Sequence, residues 1–317
     1  MSTASLGSVN GVSEFVPPLA SALNSSKQEV QKESKSRMQN IVECMPFAIV
    51  HLFPFAAIWT GVNTADVVVC VALYWVRMFG VTGVYHRYFS HRTYHTSRWF
   101  QFILALIAMS SSQRGVLWWA AHHRHHHKHS DAPEDIHSPR QSGLWYAHVG
   151  WVLDSKNAST DYSKIKDFAK YPELVFLDKY WALPQTLLGF AVWLALGWSG
   201  LWIGFMLSTV LLWHGTFTIN SLTHVWGKRV YETTDESKNS FILAIITMGE
   251  GWHNNHHYYQ SCTRQGFHWW QIDMTYYILK ALSYVGLVWD LREPPAEVVA
   301  GTWGKKKEVI EGARSVA

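Results

Sequence analysis

The chain has 317 residues, 48% of them hydrophobic and only 16% charged, against the ~25% charged residues of ordinary soluble domains. With 18 tryptophans, a mean hydropathy of −0.04 and a net charge of +4, it fits a protein partly inside a bilayer and partly outside it, and it lacks the basic run of a nucleic-acid surface. Three well-separated cysteines, Cys44, Cys70 and Cys262, with no CxxC pair, argue against a disulfide framework or a thiolate zinc site and fit a reducing, cytoplasm-facing environment.

Residues 1–41 are rich in Ser, Lys and Glu without an apolar period. They read as a flexible polar tail with no signal-peptide core. A membrane domain is expected over 42–293, then a C-terminal tail over 294–317 that contains Gly304 and Lys305 to Lys307. Apolar stretches run from about Cys44 to Trp59 and from Ala65 to about Tyr85, then from about Ala182 to Trp198 and from Leu201 to about Thr218. Each approaches the ~20 residues that cross a bilayer, although the third is interrupted by Pro184. The stretch Trp99–Met109 is too short to span and reads as an interfacial or half-buried helix; extending it to Trp119 would bury Ser110, Ser111, Ser112, Gln113 and Arg114. The loops after the first and third stretches carry no Lys or Arg. By the positive-inside rule, both termini and the central segment face the cytoplasm. The expected fold is an all-α membrane protein with four transmembrane helices in two hairpins, under a cytoplasmic helical cap.

The 18 histidines cluster. His86 and His91 lie about 140° apart on a straight helix, so one metal cannot be reached by both from it. His86 is expected to end the helix and His91 to return from the following turn. The run from His122 to His129 contains two triplets at i, i+3, i+4 that each share a helix face: His122, His125 and His126, or His123, His126 and His127. Spacing does not choose between them. His253, His256 and His257 repeat the pattern without ambiguity, and Asn220 and His224 form an i, i+4 pair just past the fourth stretch.

Neutral imidazoles without thiolates favour iron, zinc or copper over calcium or magnesium, and about nine of them exceed what one ion can use. Two metals follow. Each ligand ring needs an acceptor for its second N–H, and Asp131, Glu134, Asp135 and Glu250 are close in sequence. A metal-buffering histidine tract would explain the second cluster alone, but not three clusters and a pair at one membrane face.

These motifs resemble the integral-membrane acyl-CoA desaturases of the stearoyl-CoA type. That family carries HxxxxH, HRxHH, NSxxH and a GEG-[FW]-HNxHH element. Here they stand as His86–His91, His123–His127, Asn220–His224 and Gly249–His257, with His148-Val149-Gly150-Trp151 as a further match, the whole covering roughly residues 44–292. The resemblance selects His123, His126 and His127 and leaves His122, His125 and His129 as extras. It implies a di-iron centre, two Fe ions held by His86, His91, His123, His126, His127, His224, His253, His256 and His257, with Asn220 reaching one iron through a water. The implied reaction is O2-dependent dehydrogenation of a saturated long-chain acyl group to a cis alkene, by family default acyl-CoA at Δ9. No haem-binding cytochrome b5 segment is recognisable, so electrons are expected from a separate protein such as cytochrome b5, ferredoxin or rubredoxin.

Thr82, Met78 and Tyr74 precede His86 by 4, 8 and 12 residues and share its face. Met78 lies about 12 Å from His86 along the axis, where the methyl end of an acyl chain would rest. Met78 and Tyr74 are therefore expected to cap a substrate tunnel, the alternative being simple packing between spans. Arg87, Arg92 and Arg98 are placed to meet an anionic head group, whereas Arg77, inside the second stretch, needs a partner the sequence does not reveal. Two rival functions are a membrane hydroxylase using the same histidine boxes and a non-catalytic metal-binding membrane protein; the latter would place histidines within the spans rather than at their ends.

Overall fold

The computed structural model describes residues 37–303, which are mostly helical. The chain divides into two compact units, residues 1–43 and 44–317. Of the first, residues 37–43 are described, and they are helical, so helix begins inside the expected polar tail; the rest of that tail lies outside the described residues. Everything below concerns the second unit.

Helix α1 (Arg37–Leu52) runs through a 3-10 turn, Phe53–Ala56, into a last turn ending at Thr60, and Gly61 at φ 75° stops it. Helix α2 (Thr64–Phe79) starts with a capping box: Asp66 N–H donates to Asn63 Oδ1 at 3.1 Å, and Asn63 N–H donates to Asp66 Oδ2 at 2.9 Å. α2 does not end near His86. It rewinds into a π-helical segment over Gly80–Ser90, making one apolar helix of 27 residues, Thr64–Ser90. Arg77 finds its partners here. It donates to Ser208 Oγ at 2.5 Å, Thr209 Oγ1 at 2.7 Å and Leu73 O at 3.1 Å, and lies over the Phe205 ring.

Helix α3 (Arg98–Met109) buries Phe100, Gln101, Leu104, Ala105, Ala108 and Met109 and exposes Trp99 and Ile103, as expected of a half-buried helix. It crosses α2 where Gly80 sits; a Cβ there would lie 2.9 Å from Ala108 Cα. It ends in a turn with Ser112 and Arg114 at positive φ, so no helix continues to Trp119. Helix α4 (Val116–His129) begins instead, held by Asp178, whose Oδ1 accepts from the Trp118 N–H at 2.9 Å.

Between α4 and α6 lie α5 (Pro172–Lys179) and several shorter turns. Helix α6 (Leu183–Ser199) takes Pro184 in its first turn, where a missing N–H costs nothing. Gly197, at φ 69°, breaks it. The chain then folds back through a π-helical segment, Gly200–Leu207, into helix α7 (Ser208–Val225), with Gly189 against Phe205 and Gly204 beside Val192 and Val69. The apolar run Leu183–Val225 covers 43 residues. It and Thr64–Ser90 are long and apolar enough to cross a membrane; Cys44–Thr60 and Arg98–Met109 are shorter apolar helices. α7 continues past Thr218 and so carries Asn220 and His224 on its last two turns.

Helices α8 (Phe241–Ile246), α9 (His253–Tyr258) and α10 (Met274–Tyr284) complete the fold, with one antiparallel pair, β1 (His95–Thr96) on β2 (Val288–Trp289). Packing does not stop at residue 293. A turn at Ala296–Val299 buries Val298, and Tyr231 Oη donates to Val299 O, because Tyr231, Phe267 and Val298 form a small apolar cluster. Gly304 to Lys307 lie outside the described residues.

Candidate metal centre

The π-helical segment solves the spacing of the first histidine pair. In a π-helix each N–H bonds five residues back, so residue i+5 comes round to stand over residue i. The His91 N–H donates to His86 O at 3.2 Å, and the two rings sit 4.8 Å apart. Both rings therefore come from one rewound helix and its cap, not from a helix end and a returning loop.

All nine histidines implied by the motifs come together, in two groups. His86, His91, His123, His127 and His256 form one, and His126, His224, His253 and His257 the other; within each, one ring nitrogen per residue lies within 4.8 Å of all the rest. Each triplet is divided between the groups. His123 and His127 join the first while His126 joins the second; His253 and His257 join the second while His256 joins the first. Helix geometry explains the split: relative to residue i, position i+4 is turned about 40° one way and i+3 about 60° the other. His122 and His125 turn away, to Trp118 O at 2.8 Å and Glu134 O at 2.9 Å. Asn220 is half-buried, one turn before His224.

Carboxylates hold the outer nitrogens. His126 Nδ1 lies 2.9 Å from Asp135 Oδ1, His224 Nδ1 3.0 Å from Asp131 Oδ2, and His257 Nδ1 2.6 Å from Asp235 Oδ2. His86 Nδ1 is 2.7 Å from Glu250 Oε2. Glu250 also accepts from Arg87 at 3.0 Å, and Asp273 pairs with Arg87 at 2.9 Å. Glu134 is exposed and supports neither group. Nothing in the sequence singles out Asp235, which lies 22 residues from His257 in a loop of mixed polar residues.

A ring whose Nδ1–H is taken by a carboxylate turns a bare Nε2 lone pair inward. His86 and His256 face each other Nε2 to Nε2 at 3.0 Å, as do His256 and His127 at 3.0 Å, His91 and His123 at 2.9 Å, and His224 and His253 at 3.2 Å. His257 Nε2 is buried with no hydrogen-bond partner. Burial, then the neighbouring imidazoles, push His91, His123, His127, His253 and His256 well below their usual pKa; His257 falls to about 4 despite Asp235. Converging neutral lone pairs repel unless a cation lies among them. This donor set fits two metal ions. Burial alone would raise the carboxyls of Asp131, Asp135, Asp235 and Glu250, but their histidine partners, with Arg87 beside Glu250, hold them below the usual carboxylate range.

The surrounding motif residues are structural. Asn254 Oδ1 accepts from the Val230 and Tyr231 N–H groups at 2.8 and 2.7 Å, and Asn255 Nδ2 donates to Gln265 O and Gln271 Oε1 at 2.9 Å, fixing α9 in its loop cage. Trp119 stacks on His123 and reaches Gln113, which donates to Thr216 at 2.9 Å. Arg87 is fully buried and Arg98 is bound to Glu173 at 2.7 Å, so neither is free for a head group; Arg92 is exposed, 3.5 Å from Asp167. Tyr74 donates to Ile246 O at 2.7 Å, Thr82 pairs with Thr275 at 2.7 Å, and Met78 is fully buried beside Gly215. Cys44, Cys70 and Cys262 are free thiols.

The fatty acid desaturase family model matches residues 31–290. The chain is 35% identical over 240 residues to an sn-1 stearoyl-lipid 9-desaturase of Anabaena variabilis, covering 75% of this chain and 88% of that protein. It is 32% identical over 275 residues to Delta-9 acyl-lipid desaturase 1 of Arabidopsis thaliana, covering 84% and 88%. It is 36% identical over 230 residues to an acyl-CoA C20 Delta5-desaturase of Anemone leveillei, covering 71% and 73%.

Proposed function

Since this chain belongs to the fatty acid desaturase family, we propose that it is a four-span membrane di-iron desaturase that places a cis double bond at Δ9 of a long-chain acyl group, with its metal face in the cytoplasm. The observation that carries this reading is the pair of all-histidine groups, five rings and four, each backed by buried carboxylates. His86, His91, His123, His127 and His256 would hold one iron, and His126, His224, His253 and His257 the other, with Asn220 reaching the second through a water. Bound there, the two irons supply the O2-derived oxidant that removes two hydrogens from adjacent carbons. The protein's own part is positioning: an unactivated CH2–CH2 pair must be held against that oxidant while water is kept out.

α1, α2 with its π-helical extension, α6 and α7 would be the four spans. Their outer faces carry exposed Ile58, Trp59, Leu187, Phe190 and Leu194, surface that suits lipid. Tyr74 and Met78 would close the acyl tunnel against Gly215, where a Cβ would meet Tyr74 Oη at 2.8 Å and Met78 Cε at 3.0 Å. Thr82 would line it nearer His86. A separate donor protein, cytochrome b5, ferredoxin or rubredoxin, would deliver the electrons.

The named relatives use both lipid-bound and CoA-bound acyl groups. With Arg87 and Arg98 engaged elsewhere, exposed Arg92 is the one of the three left to meet an anionic head group, and acyl-CoA rests on the family default. The test is expression in a desaturase-deficient yeast with gas chromatography and mass spectrometry of the acyl chains. Δ9 monoenes are the expected product; hydroxy acids, or no product from iron-loaded protein given a reductant, would overturn the proposal. Purified protein offered stearoyl-CoA or a stearoyl phospholipid then identifies the carrier.

A further inference from the structure

Three further histidines lie outside both metal groups and contact one another. His51 stands on α1, His214 on α7, and His148 on the cap segment Tyr146–Gly150. They form one row. His51 Nδ1 is 2.8 Å from Phe47 O, and His51 Nε2 is 3.0 Å from His214 Nε2. His214 Nδ1 is 3.0 Å from His148 Nε2, and His148 Nδ1 is 2.9 Å from Ser221 Oγ, which lies 2.8 Å from Phe217 O. Every ring nitrogen is used, and the three rings touch no common point, so the row is not a third metal site.

These five contacts each require one hydrogen. Three neutral imidazoles and one hydroxyl hold only four, since a neutral ring carries one N–H. In the neutral row one contact is left as two facing acceptors. A fifth proton, shared as one imidazolium, fills all five. Protons can also step along the row, because each imidazole can take a proton on one nitrogen and release one from the other.

The placement gives the row a direction. His148 is half-buried on the cap and open to reprotonation from water, while Ser221 is fully buried, three residues before His224 on the same face of α7. Burial alone would lower the pKa of His148, and it is the unfilled contact of the neutral row that favours the fifth proton. Beside the row Asp154 and Lys156 pair with each other at 3.0 Å.

We propose that His51, His214, His148 and Ser221 form a proton-holding relay that supplies the four-histidine metal group. This rests on the desaturase reading, which gives the row its use. Converting CH2–CH2 and O2 to CH=CH and two waters consumes two electrons, from the donor protein, and two protons, which must come from outside the substrate.

The experiment uses the full chain in lipid nanodiscs, labelled with 15N-histidine, with His214→Phe and His51→Phe as independent variants. Removing either ring leaves contacts and protons in balance, so each variant should lose one imidazolium from the 15N spectrum at neutral pH. With iron content unchanged, each should also lower kcat by about tenfold and raise the D2O solvent isotope effect on kcat, as expected when proton delivery becomes limiting. KM should stay constant. An unchanged imidazolium count in a folded variant overturns the shared proton. An unchanged solvent isotope effect overturns the relay. The spectral measurement needs no turnover, so it stands even if the wild-type chain proves not to be a desaturase.

Discussion

Glu250 joins the metal site to the fold, and Glu250→Gln separates those two roles. The carboxylate contacts His86 Nδ1 at 2.7 Å and Arg87 at 3.0 Å, in surroundings where all three groups are buried. Replacing it with the amide keeps the volume and removes one negative charge. Arg87 then keeps one carboxylate, Asp273, with Thr263 O, and His86 loses its anionic neighbour. Breaking one partner of a buried ion pair costs about 3–5 kcal/mol, which at 2–4 °C per kcal/mol lowers Tm by roughly 6–20 °C. Loss of a carboxylate behind a ligand histidine weakens metal binding ~10–100-fold, or ~1.4–2.8 kcal/mol. Asp235→Asn is the control. Asp235 touches His257 and the backbone of its own loop but no arginine, so its loss should weaken metal binding by a similar factor with a much smaller change in metal-free Tm. The assay is thermal denaturation in nanodiscs with and without iron, together with metal content by mass spectrometry. If Glu250→Gln keeps both irons, or its metal-free Tm falls no further than that of Asp235→Asn, the double role assigned to Glu250 is wrong.

Metal-free protein should lose stability on acidification beginning near pH 6.5, not near pH 4. Six of the nine clustered histidines are held neutral by burial, so below their unfolded value the unfolded chain binds more protons than the native one, and stability falls by up to ~1.4 kcal/mol per pH unit per group until the lowered native values are passed. The depressed carboxylates act later, below their ordinary range. A metal-free Tm that is flat from pH 5 to 7.5 would contradict this. Arg77→Met should leave Tm unchanged or raise it. The hydroxyls that face Arg77 already donate to Gly204 O and Phe205 O, and replacing a buried charge with an apolar side chain is often neutral or stabilising by about 1–4 kcal/mol. A Tm lowered by more than about 6 °C, some 2 kcal/mol, would show that the guanidinium holds α2 to α7. Met78→Ala should move the products of a palmitate and stearate mixture toward the longer chain; an unchanged ratio in a folded variant removes Met78 from the tunnel.

The nine clustered histidines were legible because the motifs name them, and the i, i+3, i+4 spacing already contains their division between two groups. The first pair was not, since a period of 3.6 residues sets His86 and His91 apart and only winding with five-residue hydrogen bonds brings them together. No composition signal marks a π-helix; Gly80 and Gly83 permit the close packing around it but do not announce it. Asp131, Asp135 and Glu250 could be guessed because they follow or precede a histidine box closely. Asp235 could not, because its partner is brought to it by the Asn239, Asn254 and Asn255 network rather than by local spacing. Arg77 looked unpartnered for a related reason. Its acceptors, Ser208 and Thr209, are more than 130 residues away, and as hydroxyls they carry no charge for a sequence reading to match.

Charge balance gives a reason for carboxylates to stand one ring behind the two histidine groups rather than within them. On the proposed reading, two divalent ions held only by neutral imidazoles would bring four positive charges into a buried space. Around them lie five buried carboxylates, Asp131, Asp135, Asp235, Glu250 and Asp273, and one buried guanidinium, Arg87, a surplus of four negative charges. The compensation is complete but indirect. Each of four carboxylates acts through an imidazole, which makes that ring a better donor without taking a metal position or fixing a negative ligand on it. Ligand positions would then remain neutral and exchangeable, as a centre that must admit O2 would require. The same arithmetic predicts that metal and fold are coupled: without the two ions, four negative charges remain buried, and chelation should lower Tm more in the wild type than in Asp235→Asn, where one of those charges is already gone. An equal loss in both proteins would mean that the carboxylates orient the rings without balancing the charge of the metals.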